Sequence, residues 1–93
     1  MIRGFQDRHT KAVFNRERVR RWSRPVQRQA QMKLMVLNSA TDLNDLRKPP
    51  GNRLKALDGD RLGQHAIRIN DQWRVCFVWS DGGAERVEIT DYH

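Results

Sequence analysis

The chain has 93 residues, is 38% hydrophobic and carries a formal net charge of +7, which predicts one polar, basic domain over residues 1–93 with no room for a second core. Its lone cysteine, Cys76, excludes a disulfide framework within the chain. No segment approaches the ~20 apolar residues of a membrane span, and the first residues lack a signal-peptide core, so we expect a cytoplasmic protein with no membrane partner.

A short strand and a short helix are predicted at the start of the chain. Residues 2–5 alternate between apolar and polar side chains, which is compatible with a strand. Asp7 or Thr10 can cap a helix that continues through residues 12–14. The arginine-rich segment 15–24 that follows either extends this helix or forms a loop, and its pattern leaves both open.

A second helix is predicted from Arg24 to about Asn38. Ser23 is a suitable N-cap, Pro25 falls in the first turn, and apolar residues then recur at every third or fourth position. Thr41 is expected to cap a short turn after this helix. Two prolines and a glycine then end the helical half of the sequence.

The second half of the sequence predicts an antiparallel β-sheet, because four segments with strand-like alternation are separated by turn residues. The strands are expected at residues 52–57, 64–70, 73–79 and 86–93, with turns at 58–60, 70–72 and 80–85. The two helices should cover the apolar face of this sheet, giving an α+β fold. The other face would carry Arg68 and Arg74 and remain open to a ligand.

Positive charge is concentrated in the first half of the chain. Residues 1–55 contain 14 Lys and Arg against 4 Asp and Glu, whereas residues 56–93 contain 4 against 7. Arginine supplies 14 of the 18 cations, and guanidinium binds phosphate in a bidentate manner. This pattern favours nucleic acid or the ribosome as a partner. An acidic protein or a merely solvated basic face would also account for it.

The sequence contains no recognisable metal or nucleotide motif. His9, His65 and His93 are far apart, and there is no C-x-x-C, H-E-x-x-H or phosphate-binding glycine loop. We therefore expect no metal and no small-molecule cofactor. Cys76 lies in a strand without a local helper, which is typical of a core thiol, and His9 and His65 are expected to be structural.

The remaining groups suit RNA cleavage without a metal, which needs proton transfer at the 2′-hydroxyl and the 5′-oxygen and cations around the phosphate. His93, close to Asp91 and the α-carboxylate, has the chemistry of a general acid. Tyr92 can orient a hydroxyl or stack on a base, and Arg74 can clamp phosphate. From the residues alone, an idle chain end with solvated strand arginines remains the simpler interpretation.

The segment GNRLKALDGDRLGQHAIRINDQWRVCFVW and the ending EITDYH resemble the HigB/GraT toxins of the RelE/ParE superfamily of type II toxin–antitoxin systems, and the resemblance covers essentially the whole chain. It implies a compact RelE-like domain with two helices packed on a curved antiparallel sheet. It also implies a ribosome-dependent endoribonuclease that cuts mRNA in the A site without a metal and so inhibits translation.

The resemblance also assigns roles to residues. The D-Y-H ending implies catalytic roles for Asp91, Tyr92 and His93, and the W-R step implies that Arg74 binds phosphate. Lys55 occupies a strand position where several family members have histidine. A lysine with the reference pKa of about 10.4 is a poor base, so Lys55 is expected to stabilise the phosphate or the leaving group.

Five further arginines are predicted to contact RNA: Arg53 and Arg68 beside the site, and Arg18, Arg20 and Arg21 in the arginine-rich segment. The partners implied are a HigA-like helix-turn-helix antitoxin and the ribosome with its mRNA. Two alternatives remain. The chain can be a ParE-like toxin that poisons DNA gyrase, or, since Lys55 replaces histidine, a catalytically weak module that only binds RNA or the ribosome.

Overall fold

The computed structural model describes residues 1–92, so His93 lies outside the described residues. Within these residues the chain forms two α-helices followed by a four-stranded antiparallel sheet of order β1-β2-β3-β4. The elements are α1 (Arg8–Phe14), α2 (Arg24–Ser39), β1 (Lys55–Ala56), β2 (His65–Arg68), β3 (Arg74–Ser80) and β4 (Gly83–Thr90). Short 3₁₀ helices occupy Leu43–Arg47, Pro50–Asn52 and Gly59–Arg61. The predicted α+β class is confirmed.

Both helices begin where the sequence predicts. The Asp7 carboxylate accepts a hydrogen bond from the backbone N–H of Thr10 at 2.7 Å and is the N-cap of α1. Thr10 is instead fully buried, and its hydroxyl accepts a bond from the N–H of Ile89 at 3.0 Å. Ser23 caps α2, which ends one residue beyond the predicted end, at Ser39. The arginine-rich segment between the helices is a loop and does not extend α1.

Two predicted turns are wrong in detail. Asp42, and not Thr41, caps the 3₁₀ helix after α2, because its carboxylate accepts a bond from the N–H of Asn44 at 2.8 Å. The hairpin between β3 and β4 turns on two residues, not on the predicted loop 80–85. Asp81 and Gly82 both have positive φ, 52° and 76°, and this left-handed pair matches the twist of the flanking strands.

The first two predicted strands are much shorter in the structure, and the last one is displaced along the chain. Residues 2–5 make only isolated parallel bridges to β4. The strand predicted at residues 52–57 is reduced to Lys55–Ala56, because a 3₁₀ helix ends at Asn52 and is followed by Arg53 with φ 47°. The last strand spans Gly83–Thr90 instead of residues 86–93, so Asp91 and Tyr92 follow the strand and are not part of it.

A β-bulge in β4 interrupts the regular alternation of the last hairpin. The register shifts between Cys76 and Val78, where two residues of β4 lie opposite one residue of β3. Arg86, with φ 53°, is in the left-handed conformation at this point. A bulge bends the strand that contains it and increases its twist. The sequence contains no signal for it.

The core lies between the helices and one face of the sheet. The sheet contributes Ile67, Val75, Phe77, Val87 and Ile89, and the helices contribute Val13, Ala30, Leu34 and Leu37. All of these side chains are at most 3% exposed. Neither α1 nor α2 covers the opposite face of the sheet, where Leu57, Ala66 and Cys76 form a second, small buried cluster. Among the described residues, no helix combines the length and hydrophobicity that a bilayer span requires.

Candidate active site

The open face of the sheet carries three of the cations predicted to bind RNA. The strand register pairs Lys55 with Ala66, and Arg68 with Arg74. Side chains alternate between the two faces of a strand, and Ile67 of β2 points into the core. The side chains of Lys55, Arg68 and Arg74 therefore point away from the helices, as the sequence predicts for the two arginines.

These cations surround a cleft of about 370 Å³. Its lining residues are Arg53, Lys55, Ala66, Arg68, Arg74 and Tyr92. Four of these six described residues are cationic, so the cleft has the electrostatic character of a phosphate site. A neighbouring cleft of about 460 Å³ shares Lys55 and Tyr92 with it and is extended by Leu57, Asp58, Asp60 and Arg61.

The guanidinium of Arg74 is anchored to the turn between β2 and β3. Its Nη1 donates to the carbonyl oxygens of Asn70 and Trp73, the latter at 3.1 Å. The Asn70 side chain in turn accepts bonds from the N–H groups of Gln72 and Trp73 at 2.8 and 2.7 Å, which fixes the turn. A guanidinium has five N–H donors, so this anchoring positions Arg74 and still leaves donors for a phosphate.

A carboxylate lies at the mouth of the same cleft. Arg68 Nη2 donates to Asp71, whose side chain is fully exposed. The hydrogen bond from Arg68 holds the pKa of Asp71 below its usual value, and the charges of Arg68, Arg74 and Arg53 lower it further. Asp71 is therefore an internal competitor for the cations that a phosphate would bind.

We expect Asp71→Asn to strengthen the binding of single-stranded RNA about two- to fivefold, because an exposed ion pair that competes with phosphate is removed. The measurement is fluorescence anisotropy with a labelled RNA at fixed salt. Asp81→Asn is the matched control, since it removes the same charge from the β3–β4 turn and asparagine tolerates the left-handed conformation of Asp81. Equal gains in the two variants would contradict a local role for Asp71.

Tyr92 lines both clefts and packs against the sheet. It contacts a small buried cluster of Leu57, Ala66 and Cys76. The guanidinium of Arg61 lies over its ring, 5.7 Å from the centroid. Burial is the largest effect on the pKa of Tyr92 and raises it, so the phenol keeps its proton at neutral pH and is available to donate a hydrogen bond.

Two neighbours of Tyr92 have structural roles. Burial raises the pKa of the Cys76 thiol to about 11, so the thiolate needed by a nucleophile is not formed near neutrality. Arg61 is held by Glu88 at 3.2 Å and by Gln64 at 3.0 Å, which fixes it over the tyrosine ring. The prediction that Cys76 is a core thiol agrees with its complete burial.

Asp91 is tied to the same turn as Arg74. The side-chain amide of Gln72 donates to its carboxylate at 3.1 Å, and Thr90, which precedes it, is paired with Arg74 across β3 and β4. The structure thus places Asp91 and Tyr92 at the cleft end of the sheet. The third member of the predicted set, His93, lies outside the described residues.

A family model described as "RelE-like toxin of type II toxin-antitoxin system HigB" matches residues 3–93. The chain belongs to this family. Toxin HigB-1 of Vibrio cholerae is 48% identical over 52 residues, which is 56% of this chain and 55% of that protein. Endoribonuclease HigB of Proteus vulgaris is 31% identical over 61 residues, 66% of this chain and 65% of that protein. The match thus spans between about half and two thirds of these relatives.

The fold is shared with a solved toxin–antitoxin structure. The YoeB–YefM complex from Staphylococcus aureus contains a chain that matches with a TM-score of 0.63, covering 100% of this chain and 98% of that one at 12% identity. At this identity the likeness shows the fold alone. The family and the RelE-like fold that the sequence suggests are therefore confirmed, whereas the roles of individual HigB-family residues remain predictions.

The arginines predicted from the loop of this HigB-family chain do not gather at the cleft. Arg18 does not line the cleft; its Nη1 donates to backbone carbonyl oxygens of its own loop, at 2.8 Å for Trp22. Arg20 is exposed. Arg21 lies over the rings of Trp22 and Trp73, 5.4 and 5.9 Å from their centroids. Because Trp73 immediately precedes Arg74 in the chain, Arg21 is the one of the three that reaches the end of the sheet where the cleft lies.

Sequence reasoning missed a lysine behind the cleft. Lys33 Nζ of α2 donates to the side-chain oxygen of Asn52 at 2.5 Å. Burial lowers the pKa of Lys33, and the charge of Arg68 lowers it further. The signal was present in the sequence. Lys33 is three residues after Ala30 and four before Leu37, on the apolar stripe of the helix.

Asn52 links this lysine to the wall of the cleft. It is fully buried, and its side-chain amide donates to the carbonyl oxygen of Leu46 at 3.2 Å. It ends the 3₁₀ helix immediately before Arg53, whose φ of 47° directs the chain into β1. The position of Arg53 and Lys55 therefore depends on a buried polar contact with α2.

Asn52→Ala is expected to lower the free energy of unfolding by about 1–3 kcal/mol, because the Leu46 carbonyl and the Lys33 ammonium both lose a buried partner. Urea denaturation measures this change. The control is Asn44→Ala, an exposed amide of the preceding 3₁₀ helix, for which we expect less than about 0.5 kcal/mol. Equal losses of unfolding free energy in the two variants would show that the hydrogen bonds of Asn52 do not stabilise the segment before β1.

The described histidines and acidic residues do not form a metal site. His65 stacks on Phe77 on the core face, with ring centroids 6.2 Å apart, and burial lowers its pKa. This agrees with its predicted structural role. Over residues 1–92, no group of three or more His, Cys, Asp or Glu side chains is arranged to hold a metal ion.

Proposed function

We propose that this chain is the toxin of a type II toxin–antitoxin system and acts in the cytoplasm as a metal-independent endoribonuclease. Its substrate is mRNA in the ribosomal A site, and cleavage there stops translation. The observation that carries the proposal is the open cleft in which an anchored Arg74 faces outward with Arg68, Lys55 and Arg53. Membership of the HigB family and a relative named endoribonuclease support it.

The reaction we propose is attack of a ribose 2′-hydroxyl on the adjacent phosphorus. The 2′-oxygen forms a bond to phosphorus, the bond to the 5′-oxygen breaks, and the products are a 2′,3′-cyclic phosphate and a 5′-hydroxyl. The proton of the 2′-hydroxyl leaves to a base, and an acid protonates the departing 5′-oxygen. Catalysis then requires positive charge around a phosphate that gains negative charge in the transition state.

The described residues supply most of these functions. Arg74 and Arg68 bind the non-bridging oxygens, and Lys55 adds a compact charge at the other side of the cleft. The protonated phenol of Tyr92 donates a hydrogen bond to the ribose or the phosphate, or stacks on a base. Asp91 supports the charged form of His93, which we assign as the general acid.

The partners of the toxin follow from the same proposal. An antitoxin of the HigA type, with a helix-turn-helix fold, binds the toxin and controls its activity, and the ribosome presents the mRNA. The family description names a toxin–antitoxin system, and the structural neighbour was solved as a toxin–antitoxin complex, which supports an antitoxin partner.

The test is a reconstituted translation reaction with purified protein, in which mRNA 5′ ends are mapped by primer extension with and without ribosomes. We expect cuts within codons that require ribosomes and that persist in His9→Ala, a variant outside the cleft. No cuts in the complete reaction would refute the proposal. Intact mRNA together with inhibited gyrase supercoiling would identify a ParE-like toxin, and ribosome binding without cleavage would identify a binding module.

A further inference from the structure

The side of α2 that faces solvent carries large apolar residues. Three apolar residues spaced as neighbours on one helical face are exposed, with relative exposures of 64% for Met32, 41% for Met35 and 36% for Val36. Two arginines, Arg24 and Arg28, continue this face toward the start of the helix. We call these five residues the α2 surface. A contiguous exposed apolar patch next to charged residues is typical of a protein interaction site.

The basic end of the α2 surface borders a cleft of about 480 Å³. Its lining residues are Val13, Arg16, Arg18, Arg24, Gln27, Arg28, Gln31 and Met32. No acidic side chain is among these described residues. The cleft therefore combines an apolar floor with a strongly positive rim, and it lies next to exposed methionine.

The walls of this cleft are preformed. The Gln27 side-chain oxygen accepts bonds from the Val19 N–H at 2.9 Å and from Arg18 Nη1 at 2.8 Å, and its amide donates to the Glu17 carbonyl at 2.7 Å. These bonds hold the arginine-rich loop against α2. A partner that binds here does not have to order the loop, which lowers the cost of binding.

The charges on α2 oppose the helix dipole. The start of a helix carries partial positive charge and favours Asp and Glu, yet α2 has no acidic residue in its first turn and begins with Arg24. Its sequence, RPVQRQAQMKLMVLNS, contains no acidic residue at all. A carboxylate supplied by a partner would offset both the dipole and the arginine charges.

We propose that the α2 surface, together with Arg16 of the adjoining cleft, docks a segment of the antitoxin, with carboxylates on Arg16, Arg24 and Arg28 and apolar side chains over the exposed methionines. The identity of the partner rests on the proposed function. Interface cores are enriched in arginine and methionine and depleted of lysine and glutamate, which is the composition of this face. An RNA backbone would satisfy the arginines but would leave the methionines in water.

Docking at this surface leaves the catalytic cleft free. Helix α2 packs on the core face of the sheet, whereas Arg74 and Lys55 point away from the helices on the opposite face. Substitutions on the α2 surface are therefore expected to change antitoxin binding and to leave mRNA cleavage by the free toxin unchanged.

The experiment compares Arg24→Glu and Met35→Asp with wild type by calorimetric titration with the purified cognate antitoxin. The matched control is Arg8→Glu, because Arg8 is likewise an exposed arginine at the first position of a helix. Arg24→Glu and Arg8→Glu each introduce a negative charge that the positive end of the helix dipole favours. These two variants should therefore not melt at a lower temperature than wild type. We expect at least tenfold weaker antitoxin binding for Arg24→Glu and Met35→Asp, and less than a twofold change for Arg8→Glu.

Antitoxin affinities within twofold of wild type in both α2 variants would overturn the inference. It would also be overturned if Arg24→Glu weakened ribosome-dependent cleavage while antitoxin binding was kept, since the surface would then be an RNA contact. The two proposals fail separately. If the wild-type protein cuts no mRNA, but Arg24→Glu and Met35→Asp bind the antitoxin at least tenfold more weakly than wild type, the docking site stands and the nuclease assignment falls.

Discussion

Replacing Arg74 by alanine is expected to lower ribosome-dependent mRNA cleavage about a hundred- to a thousandfold, the loss typical of removing one preorganised donor from a developing charge. The side chain has two properties that make it the most sensitive position of the cleft. Its guanidinium is held by carbonyl oxygens of the β2–β3 turn, and it lies opposite Arg68 on the open face. A donor fixed before the reaction needs no reorganisation when charge develops on the phosphate.

The variant Arg74→Lys separates the contribution of charge from that of bidentate binding. Lysine keeps the charge but offers a single ammonium and cannot bind a phosphate through two parallel bonds, so we expect activity between that of wild type and Arg74→Ala. Arg8→Ala, at the exposed start of α1, is the control and should cut normally. Circular dichroism and the urea midpoint must be unchanged in all three variants. More than half of wild-type cleavage in Arg74→Ala would exclude Arg74 from the chemistry.

The largest expected effect on stability is that of Phe77→Ala. Phe77 is completely buried at the centre of β3 and contacts the rings of His65 and Trp79, with centroids 6.2 and 6.4 Å away. Truncating a buried phenylalanine costs about 3–5 kcal/mol, a large share of the about 5–15 kcal/mol that stabilises an ordinary domain. We expect Phe77→Ala to be largely unfolded at 37 °C or to denature at much lower urea.

The control for this prediction lies on the same strand. Val78 follows Phe77 but is only half-buried, so Val78→Ala should cost less than about 1.5 kcal/mol. Chemical denaturation at 25 °C compares the two variants directly. A similar loss in both would mean that the core is not centred on the face of the sheet that carries Phe77.

The sequence predicts the elements of this fold well because its local signals are strong. The cap and proline of α2 and its apolar spacing define that helix to within one residue of its observed end. The alternation in β2 and β3 assigns Arg68 and Arg74 to the open face, as the register shows. These features depend only on residues that are neighbours in the chain.

The features that sequence reasoning missed depend on contacts between distant residues. The bulge at Arg86 arises from the pairing of two strands, and no local pattern announces it. The pairing of Lys33 with Asn52 joins α2 to the turn before β1, 19 residues apart. The position of Asp71 over Arg68 follows from how the β2–β3 turn closes, which the residue types alone do not determine.

The surroundings of the arginines in the arginine-rich loop also depend on contacts that the sequence does not reveal. Composition assigns Arg18, Arg20 and Arg21 equally to RNA, because a count of charges does not tell where each side chain lies. In the structure they occupy different surroundings: Arg18 donates to carbonyl oxygens of its own loop, and Arg21 lies over the ring of Trp73 near the end of the sheet that carries the cleft. The surroundings of each arginine in a charge-rich segment thus become distinguishable only when the fold is known.

The most direct test of this account is the chemistry of the ends that the protein leaves on mRNA. Translating ribosomes are incubated with the protein, and the 3′ fragments are offered to polynucleotide kinase without prior phosphatase treatment. Attack by the 2′-hydroxyl predicts 5′-hydroxyl ends that accept the label directly and upstream fragments that end in a 2′,3′-cyclic phosphate, both absent with Arg74→Ala. Fragments with 5′-phosphate ends, or mRNA that stays intact, would contradict the account.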